Sequence, residues 1–231
     1  MNALEIKILS TTEELQNFAA DYILNAISET IIARNKCSIS LSGGTTPRKI
    51  YELLAEKAKK KDVEWKSVHF FWGDERCVPP DDNLSNYLMV KKALLSSIDI
   101  PSDNIHRIKG EMEPDESAFE YEAEMKRSFS TESIPRFDLM LLGLGEDTHT
   151  ASLFPYSAAL KEERRWAVPV SKENGQSRVT LTLPVINSSS TTIFIVSGKN
   201  KAEAVYRVFL NSFEPDKYPA QSVKPESGNL F

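Results

Sequence analysis

Four short stretches carry residue types that suit chemistry on a small anionic or carbonyl-bearing molecule. They read SGGTTP at 42–47, GDER at 73–76, GLGEDTH at 143–149 and SGK at 197–199. His149 is one of only three histidines. An imidazole is a general base near neutral pH, and a carboxylate such as Asp147 beside it can orient the ring. Its plainest alternative is a cap for a helix through ASLF at 151–154, but a place directly after an apolar strand favours chemistry. In GDER, Arg76 offers a planar fork for a carboxylate or phosphate. Asp74 and Glu75 there are either functional or caps for a neighbouring segment.

SGGTTP joins glycines, which let a backbone approach a ligand closely, to hydroxyl donors and the free N–H groups of a helix start. That makes a phosphate cradle of Ser42, Gly43, Gly44, Thr45 and Thr46, and equally a tight strand-to-helix turn with Thr46 as N-cap and Pro47 in the first helical position. Lys199 opens a helix, where a cation is misplaced unless an anion sits there too. Arg178, entering RVTLTLP, is either a second cation of the site or a surface residue.

Several chemistries are excluded. GLGEDT begins like a dinucleotide fingerprint, but Thr148 stands at its third glycine and no acidic residue follows on the next strand. No GK(S/T) closes a Walker loop. The residue two before Ser42 is Ser40, so no GxSxG elbow is present. No HExxH or paired Cys/His spacing suggests zinc, and His69, His106 and His149 are too scattered along the chain to read as a metal site.

The elements that must position these residues alternate. Strands are expected at Leu4–Leu9, Cys37–Leu41, Val68–Trp72, Ile105–Ile108, Phe137–Leu142, Val179–Leu183 and Thr192–Val196. Helices are expected behind a capping box at Thr11 and Glu14, after Pro47, over Asn83–Ser97, over Glu116–Phe129 and over Lys199–Leu210. This alternation, with near-continuously apolar strands, predicts an α/β fold with a mostly parallel sheet, in which ligands bind outside the strands' carboxyl ends. The four motifs all follow strands.

The 231 residues suit one α/β domain over 1–231. A net charge of −5 argues against nucleic acid as a partner. Cys37 and Cys77 lie outside any CxxC and read as reduced, as in a cytoplasmic protein. Glu5 and Lys7 interrupt the first apolar stretch, so neither a signal peptide nor a membrane span is expected. No obligate protein partner is inferred.

Together, LSGGTTP, FFWGDERCVPPDDNLSNY, FDLMLLGLGEDTHTASLFP, RVTLTLPVIN, SGKNKA and YPAQSVKP resemble the 6-phosphogluconolactonases, nearly end to end. These belong to a wider group with glucosamine-6-phosphate deaminase. The resemblance implies a Rossmann-like three-layer α/β/α sandwich. It implies hydrolysis of the δ-lactone of 6-phosphogluconate in the oxidative pentose phosphate pathway, without metal or cofactor. By motif, Ser42–Thr46 hold the phosphate, with Lys199 and Arg178 adding positive charge. His149 is the base beside Asp147, and Arg76 binds substrate or the oxyanion. Asp74 matches a position of proton transfer in the deaminases.

Two departures stand out. The lactonase motif reads G-x-D-G-H, and here Thr148 replaces the second glycine. After Val223 the usual Trp and Asp are replaced by a run ending SGNLF. Thr148 is expected either to take a negative φ or to lie slightly away from ligand, its hydroxyl free to cap a helix near Ala151. Two rivals remain. One is an amino-sugar-phosphate deaminase or isomerase with Asp74 as base, which the lactonase-like TASLFP disfavours. The other is a non-catalytic sugar-phosphate-binding protein.

Overall fold

Cys37–Leu41 (β1) and Leu139–Leu142 (β4) are buried at every position, the burial that strands covered on both faces require. In the computed structural model, which describes residues 4–59, 63–171, 175–225 and 229–230, they lie side by side at the centre of a five-stranded sheet. Val68–Trp72 (β2) flanks β1, and Thr191–Phe194 (β7) followed by Asn229–Leu230 (β8) flank β4, giving the order β2-β1-β4-β7-β8. Every pairing in this sheet is parallel. The chain leaves β1 for β2 on one side and returns to β4 on the other. The crevice outside the carboxyl ends of β1 and β4 is therefore the topological switch point, where ligands of such sheets bind.

The helices pack against this sheet. Thr12–Arg34 (α1) starts as expected: Glu14 N–H donates to Thr11 Oγ1 at 3.1 Å and Ser10 N–H to Glu14 Oε2 at 3.0 Å. Ala20, Ile23, Leu24 and Ile27, spaced at three and four, are its buried stripe. Thr45–Ala58 (α2) follows β1, and Asn86–Ala93 (α3) packs on α2. Pro114–Phe129 (α4) is pinned by Tyr121, whose hydroxyl donates to Trp72 O and accepts from Trp72 N–H, both at 2.9 Å. Leu183–Asn187 (α5) and Ala202–Phe209 (α6) complete the helices among the described residues.

A second sheet is the main feature that periodicity did not reveal. Asp74–Arg76 (β3), Ser177–Leu181 (β6) and Ala167–Ser171 (β5) form an antiparallel sheet in the order β3-β6-β5. GDER is thus a strand rather than a loop, and the 179–183 segment begins earlier and leaves the parallel sheet. The three charged residues of β3 carry no apolar signal. Pro169 masks β5, which can hold a proline because it is an edge strand.

Other boundaries moved for local reasons. Leu4–Leu9 forms no strand: Leu4 makes a single bridge, and Ile6 and Ile8 face outward. Ile105–Ile108 contributes one bridge, Ile105 to Phe70. The helix expected from Asn83 starts at Asn86, because Ser85 Oγ accepts Leu88 N–H at 3.1 Å and so caps it. Gly44, not Thr46, is the N-cap of α2, at φ 109°. Lys199–Lys201 form a 3-10 turn leading into α6. No helix forms at 151–154. Thr148 has φ 70°, against the expected negative value, and its buried hydroxyl caps nothing. Most of the SGNLF run lies outside the described residues.

Candidate active site

The GLGEDTH loop leaves β4 at the switch point and folds back on itself. Gly145 N–H donates to His149 O at 2.8 Å, and Thr148 N–H donates to Gly145 O at 3.0 Å. This tight loop brings His149 Nδ1 to 2.5 Å from Asp147 Oδ1, with the His149 N–H on the same oxygen at 3.2 Å. Gly145 is required by contact: a Cβ there would stand 2.1 Å from His149 Nδ1. Burial would raise the Asp147 carboxyl, but the contacts to His149 outweigh it and hold the group at about 2. Asp147 is therefore ionised and accepts Nδ1–H, which leaves Nε2 as the basic nitrogen. The ring rests on Phe154, centroids 4.7 Å apart, and is about a quarter exposed.

Phe154 also carries the Arg178 guanidinium, 5.4 Å from its centroid, so one aromatic ring lies against both the base and a cation. Arg178 stands opposite Arg76 in the β3–β6 register. Directly opposed like charges are destabilising unless an anion joins them. Asp74 partly answers Arg178 and is otherwise held by hydrogen bonds. Its Oδ2 accepts the Ser152 hydroxyl at 2.6 Å with Arg178 Nη1 at 3.8 Å, and its Oδ1 accepts Asn86 Nδ2 at 3.3 Å. Glu75 is occupied too. It accepts the N–H groups of Arg76, Asn86 and Tyr87 and the Ser85 hydroxyl, all within 3.0 Å. Burial raises its carboxyl above the ordinary value, and those N–H donors resist the rise. The arginine Nε atoms of Arg76 and Arg178 have no hydrogen-bond partner among the described residues.

The SGG loop leaves the neighbouring strand β1. Tyr51 on α2 grips its first residue, the hydroxyl accepting Ser42 N–H at 3.0 Å and donating to Ser42 O at 2.9 Å. Gly44 takes φ 109°, and the first-turn N–H groups of α2 follow it. Thr46 Oγ1 is 2.7 Å from Ser197 Oγ, which fastens this loop to the SGK turn and brings exposed Lys199 to the same end of the sheet. Lys199 makes no ion pair among the described residues. A cleft of about 670 Å³ opens beside Asp147 and Phe154, walled by Tyr156 and Pro169.

The residues picked out from sequence thus fall into three connected groups: His149 with Asp147, Arg76 with Arg178 and Asp74, and the 42–46 loop with Lys199. Ser152, Asn86, Phe154, Gly145 and Ser197 were missed. Each lies inside a quoted motif, but a polar residue in an apolar run such as ASLF gives no sign of what it will touch. His69 and His106, scattered in sequence, meet at 2.9 Å away from this site, and His106 Nδ1 is 2.6 Å from Glu124.

A family model for glucosamine-6-phosphate isomerases/6-phosphogluconolactonase matches residues 10–231. The chain belongs to this family. Within it, the chain is 38% identical over 227 residues to the 6-phosphogluconolactonase of Synechocystis sp., covering 97% of this chain and 92% of that one. It is also 38% identical over 192 residues to the 6-phosphogluconolactonase of Haemophilus influenzae, covering 82% and 81%. Among solved family structures, the 6-phosphogluconolactonase of Thermotoga maritima superposes with a TM-score of 0.85 at 28% identity, covering 99% of this chain and 98% of that one. The Trypanosoma brucei 6-phosphogluconolactonase gives 0.86 at 26%, covering 100% and 95%. The α/β fold with a mostly parallel sheet is that of the family.

Proposed function

We propose that this protein hydrolyses 6-phospho-D-glucono-1,5-lactone to 6-phosphogluconate. The observation that carries the reading is the His149–Asp147 pair, an oriented imidazole set at the switch point, resting on the same Phe154 ring as the Arg178 guanidinium. In this reading the phosphate is held by the 42–46 backbone and hydroxyls, with Lys199 and Arg178 supplying charge. His149 Nε2 takes a proton from water as its oxygen bonds to C1 of the lactone. The carbonyl becomes a tetrahedral oxyanion, stabilised by Arg76. The C1–ring-oxygen bond then breaks, and His149 returns the proton to the departing oxygen. The product acid ionises in solvent.

A deaminase or isomerase would need Asp74 as a mobile base. Asp74 is 7% exposed and held by Ser152 and Asn86, which suits an anchor for Arg178 better than a proton carrier. The reading requires only a small-molecule substrate, and neither a protein partner nor nucleic acid. No helix among the described residues is long and apolar enough to cross a membrane, in keeping with a cytoplasmic enzyme. The test is proton release from freshly made lactone, corrected for spontaneous hydrolysis. Turnover by wild-type protein supports the reading, and binding without turnover supports a non-catalytic sugar-phosphate-binding role instead.

A further inference from the structure

Gly43 does not adopt the left-handed conformation that would call for glycine. What excludes a side chain there is Asn86, which supplies the three nearest atoms. A Cβ at residue 43 would stand 2.0 Å from Asn86 Oδ1 and 2.5 Å from Asn86 Cγ, distances that real Cβ atoms do not show. The Asn86 carboxamide has little room to move. It is 3% exposed, its Nδ2 donates to Asp74 O at 2.9 Å and reaches Asp74 Oδ1 at 3.3 Å, and its N–H donates to Glu75 Oε1 at 2.7 Å. Turning it aside would leave the buried Asp74 carbonyl without this donor, a costly change. Asn86 therefore touches the SGG loop on one side and the strand carrying Asp74 and Arg76 on the other.

We propose that Asn86 is a positioning residue. Its carboxamide sets the distance between the phosphate-holding loop and the arginine-bearing strand β3, and residue 43 is glycine because Asn86 occupies that space. The inference rests on the reading that residues 42–46 hold the substrate phosphate. It makes the missing side chain at residue 43 an accommodation to Asn86, while the Gly43 backbone stays with the phosphate-holding loop.

The test is a double-mutant cycle with Gly43→Ala and Asn86→Ala, measuring kcat and KM on 6-phosphogluconolactone and on unphosphorylated gluconolactone, with melting temperatures as a check on folding. Gly43→Ala alone is expected to raise KM for the phosphorylated lactone about tenfold or more with kcat little changed, and Asn86→Ala alone to raise it less. In the Asn86→Ala background, adding Gly43→Ala should cost at most about twofold, because the obstacle is gone. If Asn86→Ala does not fold, Asn86→Ser takes its place in the cycle. Equal cost of Gly43→Ala in both backgrounds would overturn the proposal. A loss equal for both substrates would instead overturn the phosphate assignment of the loop.

Discussion

His149 Nδ1 and Asp147 Oδ1 lie 2.5 Å apart across a single intervening residue. The pairing fixes the imidazole tautomer with its proton on Nδ1, so Nε2 is free to accept one from water. His149→Ala is expected to fold and to lose ~10²–10⁴ in kcat, the usual worth of a positioned general base. Asp147→Asn should lose activity heavily too, because the amide can present its N–H to Nδ1 and so favour the wrong tautomer. Steady-state kinetics on both variants checks this. A fully active His149→Ala removes the mechanism.

The Asp147 carboxyl sits at about 2, below the unfolded-state value of about 3.9. A depressed acid contributes stability that is complete above the unfolded value and lost as pH falls through the folded one. That window, from about pH 4 down to 2, lies below working pH. Asp147 thus stays ionised wherever the enzyme acts.

The phosphate assignment predicts a substrate preference. A charged hydrogen bond is worth roughly 1.5–3 kcal/mol, so Lys199→Ala should cut kcat/KM about ten- to a hundredfold. Gluconolactone without the phosphate should be poor for wild type and nearly insensitive to Lys199→Ala. Equal efficiency on both lactones would show that the 42–46 loop and Lys199 serve something else.

Asp74 separates the lactonase reading from a deaminase. Its carboxylate accepts Ser152 Oγ at 2.6 Å and lies 3.8 Å from Arg178 Nη1. As an anchor, Asp74→Asn should act mainly on KM through a loosened Arg178 and cost about tenfold, well short of His149→Ala. Complete loss of kcat with unchanged KM would make Asp74 the base.

What the sequence made legible follows from range. The parallel strands, the capping box at Thr11 and Glu14, and the His149–Asp147 pair are all local: burial, a three-residue cap and a two-residue spacing. In the sheet β3-β6-β5, β3 meets β6 about a hundred positions along the chain, and the short strands include a charged one and one carrying Pro169, so no periodicity announced them. The roles of Ser152 and Asn86 depend on long-range contacts with Asp74. The φ of Thr148 is set by the closure of its loop, which composition does not express.

His69 offers a stability test away from the site. Burial first, then Lys36 and His106, lower its imidazole to about 4. Burial also lowers His106, opposed by Glu124 and Asp103. A base whose folded value lies below its unfolded value of about 6.5 binds its proton more readily when unfolded, so stability falls as pH drops through that interval. Urea midpoints should decline between about pH 6.5 and 4, and His69→Gln should flatten that decline. An unaltered slope in the variant would assign the pH dependence to other groups.

Thr148 is fully buried at φ 70°, and its Oγ1 has no hydrogen-bond partner among the described residues. A β-branched residue in this region stores ~1–3 kcal/mol of strain, and an unsatisfied buried hydroxyl adds a cost of roughly 1–3 kcal/mol. Against this, its backbone is well tied: Thr148 N–H donates to Gly145 O at 3.0 Å, and Ala220 N–H donates to Thr148 O at 3.1 Å. Thr148→Gly releases the strain and the hydroxyl but gives up a buried methyl and about 0.5–1 kcal/mol of backbone entropy. Strain and desolvation together exceed those losses, so the glycine variant should be more stable, by about 1 kcal/mol. Because the side chain points into the protein and both backbone bonds survive the change, kcat/KM should rise modestly, by no more than a few-fold, as the His149 loop relaxes. Thr148→Val, which keeps the strain and removes only the hydroxyl, should recover part of the stability and none of the activity. Melting temperatures and steady-state kinetics on the two variants decide it. A glycine variant less stable than wild type would mean that the buried side chain supports the loop more than its backbone conformation strains it.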